Sequence, residues 1–579
     1  MLKVLTAAQM REVDRLTTER YGIPSILLME NAAHAVARVI TEKLGGSVKG
    51  KSILILCGPG NNGGDGAALA RILSVQGAKL NVFLFGKIED TKGDARANFE
   101  ICRLHDEIEN CSARSKSELK YFNFSEIESF TNFLEKVGPI REDVCIDALF
   151  GTGLNRRVGG EFASTIQKLN HWQPGGRKSL IVSVDMPSGL VANSPELFPI
   201  EANGKPNDIF SSVQADVTVT FTAPKPALVM PPAMAQTKEL ILADIGSPEA
   251  LIAEVDSQLF LAEVRDAEKW LRWASFSDAS YKNKRGHALI IGGSRDYSGA
   301  AVLAGNAGIR SGVGLVTLAV PEDSREGVIG RVASEVMVRG ISQTAEGSAA
   351  EKAADEVKEF LRNVDAVAIG SGLSSKEDET KAFVRRIVEE RQTPIVVDAD
   401  GLTALSPWKL NGGDAENHPV GETPPPLLRK EGSPEKTLIL TPHEGEFKRL
   451  LGVEGDEAKD VLKDRVQAVR DFATKFGVIL VLKGERNLIG APDGRVVVNP
   501  TGNSGLGKAG NGDTLTGILV GFVAQAVQMK IDIFETVVAA VYIAGMAGDI
   551  AEKKYGKRVM TASDVRDCLV DVFEELTKK

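Results

Sequence analysis

The sequence predicts an α/β protein of two domains, and three observations support this fold class. At 579 residues the chain is too long for a single hydrophobic core. Apolar runs rich in β-branched residues alternate with helical segments, a pattern typical of parallel sheets covered on both faces. The alternation stops near residue 250 and starts again at residue 286. We therefore expect one domain over residues 1–249 and a second over residues 250–579.

The first half opens with two predicted helices. Thr6-x-x-Gln9 is a capping box, and Met10 and Val13 follow it at helical spacing. A second helix is expected after Pro24, at roughly 26–44. Strands are then predicted at 51–57, 78–85, 143–150, 179–186, 215–222 and 239–246.

In the second half, residues 247–284 carry a helical pattern and no predicted strand. Strands are predicted at 286–294, 314–320, 364–370, 394–398, 437–441, 478–483, 487–490 and 494–499. Helices at roughly 511–527, 532–552 and 561–577 close the chain. Three polar or proline-rich segments, 105–120, 193–208 and 411–436, are predicted to be solvated surface loops.

Composition argues against several functions. The formal net charge is −9 and no long basic stretch occurs, so nucleic-acid binding is not expected. The five cysteines show no C-x-x-C pattern, and Cys57 and Cys145 are predicted to be reduced core thiols. No signal peptide is visible, and the apolar stretch at 536–551 is too short and too interrupted by glycine to span a membrane. We expect a cytoplasmic protein without a membrane partner.

The glycine-rich stretch 500–517 indicates a phosphate site. Gly502 to Lys508 spells the start of a Walker A loop, but Ala509 stands where that loop needs a hydroxyl for Mg²⁺. The flanking strand and helix would place the amides of 509–512 at a helix N-terminus, which favours an anion. Asp513 would repel a phosphate unless it faces the hydroxyl that attacks that phosphate. We interpret Asp513 as the catalytic base of a different phosphate loop; a helix-capping role is the alternative.

Three motifs of the first half also follow predicted strands. The Gly/Asn loop at 57–66 would bring amides near a ligand phosphate, although it lacks the G-x-G-x-x-G spacing. The loop at 147–160 carries Arg156 and Arg157, which either bind phosphate or are merely solvated. Asp185 ends a strand in V-D-M-P-S-G, at the edge where open α/β sheets place ligands. A turn aspartate before Pro187 is the alternative.

Together these motifs resemble a known family. A-G-N-G-D-T-L-T-G (509–517) resembles the signature of ribokinase-like folds and, more narrowly, the carbohydrate-kinase-like domain of NAD(P)H-hydrate dehydratase. Supporting motifs follow in the family's order at 286–316, 368–373, 396–402, 441–447 and 481–484. The motifs of residues 1–245 resemble the NAD(P)H-hydrate epimerase domain. The resemblance implies an N-terminal Rossmann-like three-layer αβα domain and a C-terminal ribokinase-like αβα domain.

The resemblance also implies a bifunctional enzyme that repairs NAD(P)HX, the form of NADH or NADPH hydrated at the nicotinamide ring. The first domain would interconvert the R and S epimers. The second would phosphorylate the added hydroxyl of the S form, and loss of phosphate would then restore the double bond. ADP is the expected co-substrate, giving AMP and phosphate, with ATP as the alternative. K⁺ in the epimerase domain, Mg²⁺ in the dehydratase domain and a homo-oligomer are further expectations.

Residue by residue, the resemblance assigns Asp185 as the acid/base of epimerisation. It gives the K⁺ ion the oxygen atoms of Asn62, Asp147 and Ser188. The remaining epimerase substrate contacts would be Asn61, Asn62, Gly63, Gly64, Asp65, Gly151, Thr152, Gly153, Leu154, Asn155, Arg156 and Arg157. In the dehydratase domain the substrate would contact Ala300, Gly372, His443 and Asp513, and the nucleotide would contact Lys483, Gly484, Glu485, Arg486, Asn487 and Gly512. Glu485, Arg486 and Asn487 depart from the family's pattern of small residues followed by Thr or Asp.

Two other functions stay open at this point. A vitamin or sugar kinase would share the ribokinase-like fold and the terminal aspartate, but it would leave a phosphorylated product instead of free phosphate. Alternatively, the first half could be a non-catalytic module that binds a ligand or regulates the second half. The presence of Asp185, Asn62 and Asp147 argues against such a loss of activity.

Overall fold

The computed structural model describes residues 1–112, 122–130, 142–171, 179–197, 199–202, 205–210, 212–276, 282–408 and 436–578. The chain forms two compact units, Lys3–Ser257 and Met1–Leu2 with Gln258–Lys579. The sequence-based division after residue 249 stays a prediction, and the contacts divide the chain after Ser257.

The strands are β1 (Leu2–Lys3), β2 (Ser52–Cys57), β3 (Lys79–Phe85), β4 (Phe122–Ile127), β5 (Val144–Ala148), β6 (Leu180–Val184), β7 (Pro199–Ala202), β8 (Lys205–Phe210), β9 (Ala215–Phe221), β10 (Thr237–Ala243), β11 (Leu259–Leu261), β12 (His287–Ile291), β13 (Leu315–Pro321), β14 (Val336–Ile341), β15 (Ala366–Ile369), β16 (Ile395–Val397), β17 (Leu438–Leu440), β18 (Ile479–Leu482), β19 (Asn487–Gly490) and β20 (Val496–Asn499). The α-helices are α1 (Ala7–Tyr21), α2 (Ser25–Lys43), α3 (Asn61–Val75), α4 (Gly93–Ser112), α5 (Gly160–Asn170), α6 (Pro226–Val229), α7 (Glu249–Glu254), α8 (Val264–Trp273), α9 (Ser298–Arg310), α10 (Glu322–Ile329), α11 (Ala353–Leu361), α12 (Asp378–Glu389), α13 (Asp400–Ala404), α14 (Glu444–Leu451), α15 (Gly455–Val461), α16 (Arg465–Phe476), α17 (Asn511–Met529), α18 (Ile533–Tyr555), α19 (Ala562–Asp567) and α20 (Leu569–Thr577).

The first unit is built on a seven-stranded parallel sheet in the order β10-β9-β6-β5-β2-β3-β4. Successive residues of β2 serve opposite faces, because side chains alternate along a strand. Ile53 and Ile55 pack into the core with α2, α3 and α4, whereas Leu54 and Leu56 pack into a second core with Ile166 of α5. This two-sided burial explains the continuous apolar runs and confirms the predicted α/β class.

The second unit contains an eleven-stranded sheet in the order β1-β11-β20-β19-β18-β17-β16-β15-β12-β13-β14. From β11 to β14 its strands pair in parallel, except where β19 pairs antiparallel with β18 and β20. A large core joins this sheet to α17, α18 and α8, and Trp270 of α8 donates a hydrogen bond to Thr536 of α18 at 2.9 Å.

Several sequence predictions about elements are corrected. Residues 247–284 do contain a strand, because β11 pairs with β20. The segment 193–208 is not only loop, since β7 and β8 form a two-stranded antiparallel sheet. Residues 105–112 are helical as the end of α4, while 113–120 and 411–435 lie outside the described residues. The predicted helix at 561–577 is divided into α19 and α20.

Helix α18 also differs from its prediction. It runs for 23 residues and is long and apolar enough to span a membrane, whereas the sequence suggested a segment too short to do so. Of its most apolar window, 78% is buried inside the protein. The apolar composition of α18 is therefore explained by its place in the core of the second unit.

Candidate active sites

The first unit contains a cavity of about 720 Å³ at the carboxyl ends of its strands. Its walls come from the segments that follow β2, β5, β6, β9 and β10, together with residues of α1, α2 and α4. Strand β2 has β3 on one side and β5 on the other, so the chain order reverses at this point. Such a reversal leaves a crevice between the loops, which is where open α/β sheets bind ligands.

The glycines of the loop after β2 serve close packing. A Cβ on Gly58 would lie 2.0 Å from the carbonyl oxygen of Leu149, and one on Gly63 would lie 1.8 Å from that of Gly58. A Cβ on Gly64 would lie 2.7 Å from Ala95. The loop glycines therefore let α3 begin directly against the end of β2, which turns Asn61 and Asn62 towards the cavity.

The cavity brings most of the predicted epimerase residues together. Its lining includes Asn61, Asn62, Asp65, Asp185 and every residue from Gly151 to Arg156. Gly63 and Gly64 are buried behind it, and Arg157 does not line it.

Asp185 follows β6 directly and has a strained backbone conformation. Its φ of 62° lies in the left-handed region, which costs an ordinary residue about 1–2 kcal/mol and is concentrated at functional sites. The Asp185 amide donates to the Val219 carbonyl at 2.8 Å. Its Oδ1 atom accepts from Lys225 Nζ at 2.6 Å and from Thr220 Oγ1 at 3.1 Å. No hydrogen bond to Oδ2 is seen from the described part of the chain, so this oxygen is available to a ligand.

Sequence reasoning missed Lys225 and Asp14. The side chain of Lys225 is 1% exposed, and its ammonium also contacts Thr220 Oγ1 and the Phe221 carbonyl. Asp14 lines the cavity from α1, and burial raises its pKa to about 6. Burial, followed by the charges of Asp185 and Asp14, raises the pKa of Asp65. The sequence did contain a signal for Lys225, because it is the one lysine in the apolar run 215–230. Burying its charge there without a partner would destabilise the fold, so a buried acidic partner could have been expected.

The predicted K⁺ ligands lie beside the same loop. Asp147 is fully buried and accepts from Ser183 Oγ, the Ser188 amide and Ser188 Oγ at 2.8, 2.8 and 2.5 Å. Both amide atoms of Asn62 are buried without a hydrogen-bond partner among the described residues. The Phe150 amide donates to Ser188 Oγ, and a Cβ on the adjacent Gly151 would lie 3.1 Å from Asn62 Oδ1, so both side chains meet the same loop. Amide, hydroxyl and carboxylate oxygens are ligands that a hard monovalent cation accepts, so the residues fit K⁺.

The second unit has a cavity of about 460 Å³, again at a reversal of chain order. Strand β12 has β13 on one side and β15 on the other, and the cavity is lined by segments that follow β12, β15 and β16. It brings together Ala300, Gly372, Asp400 and Asp513. Gly372 has a φ of 68°, and a Cβ there would lie 2.8 Å from that of Ala300, so this wall tolerates only glycine.

Asp513 stands in the first turn of α17 without capping it. Gly510 is the N-cap, with a φ of 90° and no side-chain hydrogen bond to the helix. Burial raises the pKa of Asp513 to about 6; the Ser371 hydroxyl and the Lys483 ammonium oppose this rise, while Asp398 and Asp400 add to it. The uncapped amides and the helix dipole offer an anion site, and Asp513 beside it can serve as a base near neutral pH.

Beside this helix end lies an ion pair between half-buried Lys483 and buried Asp398, which the sequence did not predict as a pair. Lys483 Nζ lies 2.7 Å from Asp398 Oδ1, and Thr516 Oγ1 donates to Asp398 Oδ2 at 2.9 Å. Burial alone would lower the pKa of Lys483, but Asp398 and Glu446 outweigh it and raise that pKa. The Lys483 pair lowers the pKa of Asp398, although burial opposes this. A Cβ on Gly512 would lie 3.6 Å from Lys483 Nζ, so the ammonium stands next to the α17 N-terminus.

The other predicted nucleotide residues mostly form the turn between β18 and β19. Asn487 Oδ1 accepts from the Gly484 amide at 3.2 Å, and Arg486 donates to the Pro500 carbonyl at 2.6 Å. Arg486 thus anchors the start of the glycine loop, while Gly484 and Glu485 are exposed.

His443 follows β17 and lies outside the lining of the second cavity. It caps α14, where its Nδ1 accepts from the Gly445 and Glu446 amides at 3.0 and 3.3 Å. A parallel β-bridge pairs it with Lys483.

Lys508, the apparent Walker lysine, donates to the carbonyls of Arg558 and Met560 at 2.6 and 2.9 Å. Its ammonium is therefore occupied by the protein's own carbonyls. This contact agrees with the interpretation of 500–517 as a loop of another kind.

Comparison with known proteins gives two family matches and full-length relatives. Residues 288–570 match the family described as NAD(P)H-hydrate dehydratase, and residues 25–227 match the YjeF-related protein N-terminus. The chain is 36% identical over 578 residues to the bifunctional NAD(P)H-hydrate repair enzyme Nnr of Moorella thermoacetica, covering 100% of this chain and 97% of that protein. The corresponding protein of Salinibacter ruber is 32% identical, with 99% and 96% covered.

Among solved structures, the ADP/ATP-dependent NAD(P)H-hydrate dehydratase of Bacillus subtilis, co-crystallised with ATP and Mg²⁺, is 28% identical. It covers 55% of this chain and 98% of its own, with a TM-score of 0.44.

Proposed function

Since this chain belongs to the family of bifunctional NAD(P)H-hydrate repair enzymes, we propose that its two cavities divide the repair between them. The chain is an NAD(P)H-hydrate epimerase and an ADP/ATP-dependent NAD(P)H-hydrate dehydratase. The cavity of residues 3–257 interconverts the R and S epimers, and the cavity of the second unit dehydrates the S form. One observation carries this assignment: each cavity lies at a reversal of strand order and contains a half-buried carboxylate of the expected kind, Asp185 or Asp513.

In the epimerase cavity, Asp185 moves the proton of the substrate's hydroxyl. Lys225 holds Oδ1 in place at 2.6 Å and balances its charge, which leaves Oδ2 for the substrate. The loop from Gly151 to Arg156 and the start of α3 supply amides and one guanidinium for the phosphates. K⁺, held by Asn62, Asp147 and Ser188, supplies positive charge beside this loop when it is bound.

In the dehydratase cavity, Asp513 takes the proton of the hydroxyl as that oxygen accepts the phosphoryl group. The uncapped amides at Gly512 and Asp513 and the ammonium of Lys483 stabilise the phosphate oxygens. Asp398 keeps Lys483 charged and fixed below them. Departure of the phosphate and loss of a proton from the adjacent ring carbon then restore the ring's double bond, so the net reaction is dehydration.

ADP is the proposed nucleotide, with Mg²⁺ bound mainly through its phosphates. The described residues contain no group of three or more His, Cys, Asp and Glu arranged to hold a metal. Mg²⁺ commonly binds through substrate phosphates and only one or two carboxylates, so a site with Asp513 beside a phosphate loop fits it. We further propose that the protein is cytoplasmic and that it forms a homo-oligomer. Light scattering on the purified chain measures the oligomeric state.

The test uses a chemically hydrated NADH mixture of both epimers with ADP or ATP, followed by the absorbance of regenerated NADH. We expect complete conversion with release of free phosphate, and faster turnover with ADP. Accumulation of a phosphorylated product would indicate a kinase instead. Conversion of the S fraction alone would contradict the proposed epimerase activity.

A further inference from the structure

The cavity of the first unit contains a second carboxyl group that the proposed mechanism leaves unused. Asp14 lies on α1 and shares a helix face with Met10 and Arg11, and all three line the cavity. Its Oδ1 atom is buried and has no hydrogen-bond partner among the described residues. A carboxylate oxygen in that state is destabilised unless it binds a proton or a ligand.

Epimerisation at the hydrated ring carbon through opening of the C–N bond involves two proton transfers. That carbon carries the ring nitrogen and the hydroxyl, so opening the C–N bond requires the hydroxyl to lose a proton and the nitrogen to gain one. Asp185 can take the first proton, but it is held against Lys225 and has no proton of its own to give at the same moment. The second transfer therefore requires a different group within the same cavity.

We propose that Asp14 is this second catalytic group, the acid that protonates the ring nitrogen while Asp185 deprotonates the hydroxyl. The C–N bond breaks, the carbon becomes an aldehyde, and each carboxyl group changes its protonation state once. Rotation about the neighbouring C–C bond then exposes the other aldehyde face. On ring closure the nitrogen returns its proton to Asp14 and Asp185 returns its proton to the oxygen, so the protein ends as it began. This inference rests on the proposed role of Asp185.

The surroundings of the two carboxyl groups suit these opposite roles. Asp185 is paired with a buried ammonium and Asp14 is not hydrogen-bonded to it, and pairs of carboxyl groups in unlike environments commonly divide into acid and base. Burial raises the pKa of Asp14 to about 6, Lys225 opposes this rise and Asp185 adds to it. The charged groups that line the cavity with Asp14 are Arg11, Asp65, Asp94, Arg156, Asp185 and Lys225.

The test measures conversion of purified R epimer to S epimer in the full-length chain without nucleotide, corrected for the spontaneous rate. Asp14→Asn should lower this rate by about a hundredfold, as for loss of a general acid. Wild-type kcat/KM should fall as pH rises above about 6, and this decline should be absent in Asp14→Asn. Asp14→Glu, which keeps a carboxyl group, should recover part of the rate together with the decline. Glu12→Gln, an exposed change on the same helix, should match wild type.

Dehydration of pure S epimer with ADP serves as an internal measure of intact enzyme and should be unchanged in every variant. Asp185→Ala separates the role proposed for Asp14 from the proposed function of the cavity. If Asp185→Ala loses epimerisation while Asp14→Asn keeps the wild-type rate and its alkaline decline, the role of Asp14 is wrong and the proposed function stands. If Asp185→Ala also keeps the wild-type rate, both assignments fail.

Discussion

Replacing Asp513 by Asn should have two effects of opposite sign, one on catalysis and one on stability. The amide keeps the size of the side chain but cannot accept the hydroxyl proton, so dehydration should fall about a hundredfold or more. The nucleotide's KM should change little, because the α17 amides and Lys483 remain. In the wild type, kcat should fall as pH drops below about 6, where Asp513 becomes protonated.

The stability effect follows from the same carboxyl group. Burial raises the pKa of Asp513 from an ordinary value of 3.8 to about 6. Because the unfolded chain loses this proton first, folding stability declines between about pH 4 and pH 6 and the cost is complete above pH 6. At about 1.4 kcal/mol per pH unit, the ionised carboxylate costs about 3 kcal/mol. Asp513→Asn should therefore be more stable than wild type by up to about 3 kcal/mol at pH 8 and nearly equal to it at pH 4.

Urea unfolding followed by tryptophan fluorescence measures this difference, since three of the four tryptophans, Trp270, Trp273 and Trp408, belong to the second unit. The control is Asp378→Asn, which changes an exposed aspartate in the first turn of α12. The control should keep full activity and gain no stability at pH 8. Wild-type dehydration by Asp513→Asn would exclude Asp513 as the base, and an unchanged stability at pH 8 would contradict the burial argument.

Three further predictions concern the division of labour and the glycine loop. Lys508→Ala should leave the nucleotide's KM within about threefold of wild type, because the Lys508 ammonium already binds the Arg558 and Met560 carbonyls. If Lys508 were a Walker lysine, the same change should abolish turnover. Residues 258–579 produced alone should repair only the S epimer, and complete conversion of an R/S mixture beyond the spontaneous rate would refute the assignment of the two cavities. Asp185→Ala in the full chain should give a fast phase for the S fraction followed by a slow tail limited by spontaneous epimerisation, whereas a single wild-type phase would reduce Asp185 to a turn residue.

Most strands inside a sheet were predicted, and so was the edge strand β10. Strands such as β2 are buried on both faces, so nearly every residue is apolar and the run is visible in the sequence. Strands β4 and β14 were not predicted, and each lies at a sheet edge with half-buried or exposed polar residues. Strand β11 has only three residues, too few to show a period.

The sequence alone indicated several of the loops that line the two cavities. A glycine-rich loop between a strand and a helix is a local pattern, and so is an aspartate at the end of an apolar run. For this reason the local patterns indicate the Gly/Asn loop, Asp185 and Asp513, while Asn61 and Asp65 were assigned through the family resemblance. The linings of the two cavities include all four residues.

Only the tertiary structure decided the partners of these residues. Lys225 and Asp185 are 40 positions apart, and Lys483 and Asp398 are 85 apart. Asp14 reaches the first cavity from a helix that precedes the whole sheet. The order of strands in a sheet sets which loops meet at its carboxyl edge, and side-chain periodicity carries no information about that order. An isolated charged residue has no local signal of its partner, because the energy that makes its burial tolerable comes from a group distant in sequence.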